Sequence, residues 1–213
     1  MSAAVMLDPT PTGLPVTIRR PLYRLTVEQY HRMIDAGVLK EGAKVELIEG
    51  LLVQKMTRNP PHEGSLARIN RRLARLLPEE WVLRVQSAIT LRRSEPEPDV
   101  TIARGPEERY ASRHPGPRDI VLLIEVAESS LLEDRTTQAT LYADARIPEY
   151  WIVNTVHNQV EVYTEPRGGQ APAYRQRRDY GPDDEIPLVL KGQEIARLRV
   201  RDLLPPLPSG EPE

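Results

Sequence analysis

Apolar side chains recur at helical spacing in some stretches of the chain and as short unbroken runs in others. From residue 63 to 77, Leu66, Ile69, Leu73, Leu76 and Leu77 fall on one stripe, which predicts an amphipathic helix stopped by Pro78. Arg68, Arg71, Arg72 and Arg75 lie mostly off that stripe, as a solvated or phosphate-facing side would. Upstream, Thr26 offers a hydroxyl N-cap with an acid soon after it. Tyr30, Met33 and Ile34 then continue at helical spacing until Gly37.

The apolar runs read as strands. Residues 45–50 and 51–56 predict a hairpin turning at Glu49-Gly50. Residues 81–91 form a strand-like run, and residues 98–103 form another, entered through a proline-rich turn. Residues 120–127 are apolar apart from one acid, the pattern of a strand buried on both faces. Asp134 is placed to cap a helix over 135–145 whose inner face is Leu141, Tyr142 and Ala145. Residues 150–154 and 160–164 extend the sheet, and the glycine-bearing turns at 168–169 and 181–184 mark hairpins and loops at its edge. This order predicts an α/β (α+β mixed) fold: one domain over residues 21–204, a central mixed sheet flanked by helices, and extra edge strands. Residues 1–20 are expected to form a flexible arm and residues 205–213 a Pro-rich tail.

Composition narrows the chemistry. The 213 residues contain no cysteine, which removes disulfides, thiolate zinc sites and cysteine nucleophiles. The longest apolar runs are short strands, so no membrane partner is expected. No charged segment followed by a sustained apolar stretch opens the chain, and a cytoplasmic location is the expectation. The formal net charge of −2 announces no global basic field. Arginine supplies most of the positive charge, and no lysine lies between Met56 and Leu190.

Two acids occupy places where acids are costly. Asp99 lies at the start of Pro98-Asp99-Val100-Thr101-Ile102, and Glu125 is flanked by Ile124 and Val126. Burying an ionised carboxylate costs several kcal/mol unless it is paired, hydrogen-bonded or bound to metal. No lysine is close in sequence to either, which leaves a distant arginine or a hard divalent cation. Mg²⁺ is typically held by one or two carboxylates, with water and substrate phosphates filling its other positions. The plainer alternative is that Glu125 points out of a sheet edge or pairs with an arginine.

The runs Pro96-Glu97-Pro98-Asp99-Val100, Leu122-Leu123-Ile124-Glu125-Val126, Leu141-Tyr142 and Ile147-Pro148-Glu149-Tyr150-Trp151-Ile152-Val153 resemble the Uma2 family. That family is assigned to the PD-(D/E)XK restriction-endonuclease-like superfamily. The likeness includes Val45-Glu46-Leu47-Ile48-Glu49-Gly50 and His62, and spans roughly Tyr23 to Leu204. It implies a restriction-endonuclease-like core and metal-dependent hydrolysis of DNA phosphodiesters. Asp99 and Glu125 would then hold Mg²⁺ (or Mn²⁺) with the backbone carbonyl of Val126, and Glu46 would add a metal or water contact. His62 would touch phosphate or an acid of the site, or else serve as an ordinary helix-entry histidine bonded to backbone.

The superfamily usually places a lysine two residues after the second acid, where this chain has Ala127. In Uma2-like proteins it stands instead on the following helix, where this chain has Gln138. Gln138 can orient a water but brings no charge, so the resemblance implies an endonuclease of weakened activity. Arg135 and Lys55 are the cations that could approach. The rival readings are a catalytically silent nucleic-acid-binding or regulatory module and a protein-interaction domain with Pro-rich contact segments. A homodimer is a natural expectation for duplex cleavage.

Overall fold

The structure is a computed structural model that describes residues 21–40, 42–55 and 59–205. The predicted arm, nearly all of the predicted tail, and Met56 at the end of the first hairpin lie outside the described residues.

Six strands form the central sheet in chain order: β3 (Trp81–Val85), β4 (Val100–Arg104), β5 (Ile120–Ala127), β6 (Glu149–Asn154), β7 (Gln159–Arg167) and β8 (Ala173–Tyr180). Only β5 and β6 run parallel; every other neighbouring pair is antiparallel. A parallel pair needs a crossover. Here the crossover is helical: α3 (Leu131–Glu133), a π turn (Asp134–Gln138) and α4 (Ala139–Asp144). Two further hairpins flank the sheet, β1 (Val45–Ile48) with β2 (Leu51–Gln54), and β9 (Glu185–Leu190) with β10 (Gln193–Arg199). Helices α1 (Val27–Asp35) and α2 (Pro60–Leu73) precede the sheet strands. The mixed sheet flanked by helices matches the expected class. Among the described residues, no helix is long and apolar enough to cross a membrane.

Side-chain alternation along β5 splits the core in two. Leu122, Ile124 and Val126 pack with Leu66, Ile69 and Leu73 of α2 and with Leu188 and Leu198 of the last hairpin. Leu123 and Ala127 pack with Ala139, Leu141 and Tyr142 of α4. Glu125 shares the parity of that second set, so one acid sits in an otherwise apolar face.

Element boundaries moved where local chemistry overrode periodicity. The predicted helix over 63–77 begins at Pro60 because Asn59 caps it, its side chain accepting from the His62 N–H at 3.2 Å. The run over 81–91 ends as a strand at Val85, where Gln86 turns into the left-handed region at φ 48°. Asp99 is the last residue before β4 rather than part of it. Asp134 is no helix cap: it stands inside the π turn that joins α3 to α4. The Glu49-Gly50 hairpin forms as expected. Gly50 has φ 80°, and a Cβ there would lie 2.8 Å from both Arg24 Cβ and the Leu25 carbonyl oxygen, so only glycine fits.

Candidate active site

The register of β4 on β5 pairs Val100 with Ile124, which sets Asp99 across from Glu125 at the strand ends. The two acids are interlocked through the main chain. Asp99 donates its N–H to Glu125 Oε2 at 3.0 Å, and the N–H of Val126 donates to Asp99 Oδ2 at 2.9 Å. Asp99 is 6% exposed, so both hydrogen bonds form in a largely dry environment. Tyr142 of α4 donates its hydroxyl to Glu125 Oε1 at 2.8 Å. Main-chain N–H groups thus reach both carboxylates, and Tyr142 adds a donor to Glu125.

Other elements bring polar groups to the same cleft. His62, in the first turn of α2, places Nε2 2.8 Å from Asp99 Oδ2, while its Nδ1 is buried without a hydrogen-bond partner among the described residues. Of the two expectations for His62, contact with an acid of the site is the one observed. Glu46 of β1 and Lys55, just beyond β2, line the cleft with Glu97, Asp134 and Gln138. Lys55 forms an ion pair with Glu97. Gln138, at the end of the π turn, has its Oε1 buried without a hydrogen-bond partner among the described residues. Ser130 donates its hydroxyl to Asp134 Oδ2 at 2.7 Å.

Carboxylates outnumber cations here, and the protonation equilibria follow. Burial, with Asp99 and Asp134 nearby, pushes the Glu125 carboxyl well above its ordinary range against the hydrogen bonds from Asp99 and Tyr142. Burial raises Asp134 to about 7, opposed by the Ser130 hydroxyl and His62 and reinforced by Asp99. Glu46 also rises to about 7, through burial and Glu97, against the pull of Lys55. Among the described residues that line the cleft, acidic side chains outnumber basic ones.

The donor set is mostly oxygen: two interlocked carboxylates and neighbouring acids, with the His62 imidazole beside Asp99. That chemistry fits a hard divalent cation rather than a soft one. Among the described residues, no three histidine or acidic side chains converge as a complete ligand cage. A two-carboxylate set completed by water and phosphate is the arrangement these residues can offer.

The structure brings Asp99, Glu125, Val126, Glu46, His62 and Gln138 around one cleft. Arg135 is committed elsewhere, its Nε donating to Glu161 Oε2 at 3.0 Å. Sequence reading missed Asp134 and Tyr142 as members of the site. The sequence pattern presents Asp134 as a helix cap and Tyr142 as an inner-face residue, whereas they line the cleft and bond Glu125 respectively. Tyr150 and Trp151 are fully buried core residues.

A mixed sheet with one parallel step, and two acids facing each other at the ends of adjacent antiparallel strands, define a nuclease-like α+β fold. The profile of Uma2, described as "putative restriction endonuclease", matches residues 27–200, and the chain belongs to that family. Among solved structures, it is similar to a "putative nuclease belonging to DUF820" from Anabaena variabilis ATCC 29413. That likeness has a TM-score of 0.63 at 17% sequence identity, and covers 84% of this chain and 97% of the other, so it speaks to the fold. No curated protein matches the chain.

Proposed function

We propose that this protein is an endonuclease that hydrolyses phosphodiester bonds of nucleic acid, DNA foremost, with a divalent cation, Mg²⁺ or Mn²⁺. Asp99, Glu125 and the backbone carbonyl of Val126 are the groups that would hold the ion, with Glu46 adding a contact directly or through water. The observation that carries this reading is the reciprocal main-chain interlock of Asp99 and Glu125, which sets two largely buried carboxylates side by side in one cleft. Ionised acids in that setting are strongly penalised unless a positive charge joins them.

Such an ion, when bound, polarises a phosphate oxygen and makes its coordinated water more acidic. The chain's own groups would do the rest. His62 places Nε2 2.8 Å from Asp99 Oδ2 and would steady that carboxylate. Tyr142 fixes the orientation of Glu125. Gln138 offers an amide oxygen, without a partner among the described residues, that can position a water. Lys55 brings a full positive charge to the cleft wall, available to an incoming phosphate once it leaves Glu97.

The test is incubation of the purified protein with supercoiled plasmid and Mg²⁺ or Mn²⁺, beside Asp99→Ala. Nicking by the wild type alone supports the reading. No cleavage by the wild type, or equal cleavage by both, overturns it.

A second reading, a catalytically silent nucleic-acid-binding module on the same scaffold, is favoured by Ala127 and Gln138 standing where a lysine is expected. Calorimetry separates the two, since a silent module would take up neither Mg²⁺ nor Mn²⁺. If cleavage of both strands occurs, sedimentation in the presence of duplex tests whether a homodimer forms.

A further inference from the structure

A second cavity opens between α1, the edge strand β3 and the loop that follows the 3₁₀ turn Glu107–Tyr110. Its wall carries Arg84 from β3 and Arg113 from the loop, with Tyr110 between them. The Arg84 guanidinium lies 5.5 Å from the Tyr110 ring centroid and that of Arg113 lies 5.2 Å from it, so one aromatic ring gathers two cations. The ring itself is fixed, being 8% exposed with its hydroxyl donating to the Arg104 carbonyl at 2.5 Å.

The cations are unequally satisfied. Arg113 is held by Asp119 at 2.7 Å, and Arg109 reaches the other oxygen of the same carboxylate at 3.0 Å. The Nε of Arg84 is buried and has no hydrogen-bond acceptor among the described residues. Glu95, an acid of the same wall, is already engaged: His31 Nε2 lies 2.8 and 2.9 Å from its two oxygens, and Thr90 donates to it at 2.8 Å. Burying a donor without an acceptor is unfavourable, and more so for a charged group. A guanidinium fork is geometrically matched to an oxyanion.

We propose that this cavity is a binding site for a phosphate group, taken by Arg84 with Arg113 and oriented by the fixed face of Tyr110. The ligand chemistry is a phosphate borne either by a free inorganic ion or by a nucleotide. The site stands apart from the acidic cleft, and its occupancy does not depend on cleavage there.

The experiment uses the full chain freed of divalent ions by dialysis, and calorimetric titration with inorganic phosphate, a nucleoside 5′-monophosphate and the matching nucleoside. Phosphate and the monophosphate should bind and the nucleoside should not. Arg84→Gln should weaken binding by about tenfold or more, whereas Arg167→Gln at the exposed end of β7 should leave it unchanged. Monophosphate binding about tenfold tighter than phosphate assigns the site to a nucleotide; equal affinities assign it to the free ion. In parallel, amide shifts of the wild type on adding phosphate should cluster on β3 and residues 107–114. This readout holds even if Arg84→Gln fails to fold. Absence of binding at about 10 mM, unaltered affinity in folded Arg84→Gln, or shifts confined to the Asp99 cleft would overturn the proposal.

Discussion

Arg135, one residue beyond Asp134 in the π turn, is tied to Glu161 of β7, a carboxylate with no exposed surface. Glu161 also accepts from Asn154 at 2.7 Å and from the Tyr163 hydroxyl at 2.9 Å, and Arg177 of β8 lies 3.2 Å away. The network joins the crossover to three strands and so fixes the turn that carries Asp134 and Gln138 into the cleft. Burial alone would raise Glu161, but its hydrogen bonds from Arg135, Asn154 and Tyr163 outweigh that and hold it at about 2.

The sign of the pH dependence follows. A carboxyl lowered on folding contributes stability that is present above its unfolded value and lost as pH falls through its folded one. The contribution of Glu161 should therefore fade between about pH 4.5 and pH 2. Glu161→Gln should be destabilised by about 3 kcal/mol at neutral pH, because it leaves Arg135 unpaired beside a buried amide. Its stability should also fall less steeply than that of the wild type through that window. Urea denaturation across pH 2 to about 6 measures both effects.

Asp134 runs the other way. Its carboxyl is raised from 3.8 to about 7, so its stabilising effect is complete below the unfolded value and is lost as pH rises through about 7. In metal-free buffer, Asp134→Asn should gain stability relative to the wild type on going from about pH 5 to 8. Thermal midpoints of the two proteins across that range test it, and a constant difference would contradict the electrostatic account.

How much of this was legible in the chain depends on which interactions decide each element. The apolar run with one acid at 120–127 made β5 recognisable, since a strand buried on both faces leaves little room for another reading. The pairing of Asp99 with Glu125 was readable only through family likeness, because register between strands 26 residues apart is a tertiary property. The crossover was misread because a π turn inserts an extra residue into a helix and shifts every later side chain around its axis. Periodicity over 135–145 gave no sign of that insertion. Lys55 and Glu97 were separable in sequence but joined in space by the β1–β2 hairpin folding over residues 95–99, through the bridge of Leu47 to Glu95.

Lys55 should matter to turnover more than to folding. Its ion pair with Glu97 is partly solvated, and such pairs contribute about 0–1 kcal/mol. On the proposed reading, Lys55→Met removes the cation of the cleft wall, and plasmid nicking should fall by about 10²-fold while the melting midpoint moves little. Lys55→Arg should recover part of the rate. A rate unchanged in Lys55→Met would take this side chain out of the reaction.

Gln138 gives the most direct test of whether the cleft is a weakened nuclease site. Its Oε1 is buried and without a partner among the described residues, and it lies in a wall shared with Glu46, Asp99, Glu125 and Asp134. A lysine there would meet several carboxylates, two of them raised to about 7 by burial and by neighbouring acids. Gln138→Lys should therefore be tolerated: the ammonium stays charged, and the pKa values of Glu46 and Asp134 fall towards the ordinary carboxylate range. The catalytic consequence is separate. A charge-assisted contact to the negative charge that develops on a phosphate in the transition state is worth about 10²–10³ in rate. If the wild type is an enzyme limited by that missing contact, Gln138→Lys should cleave plasmid about tenfold faster or more at equal Mg²⁺, with the gain abolished by Asp99→Ala. If the new ammonium instead occupies the place of the divalent ion, calorimetry will show Mg²⁺ affinity falling and cleavage disappearing with it, and the missing lysine is then not what limits the natural protein.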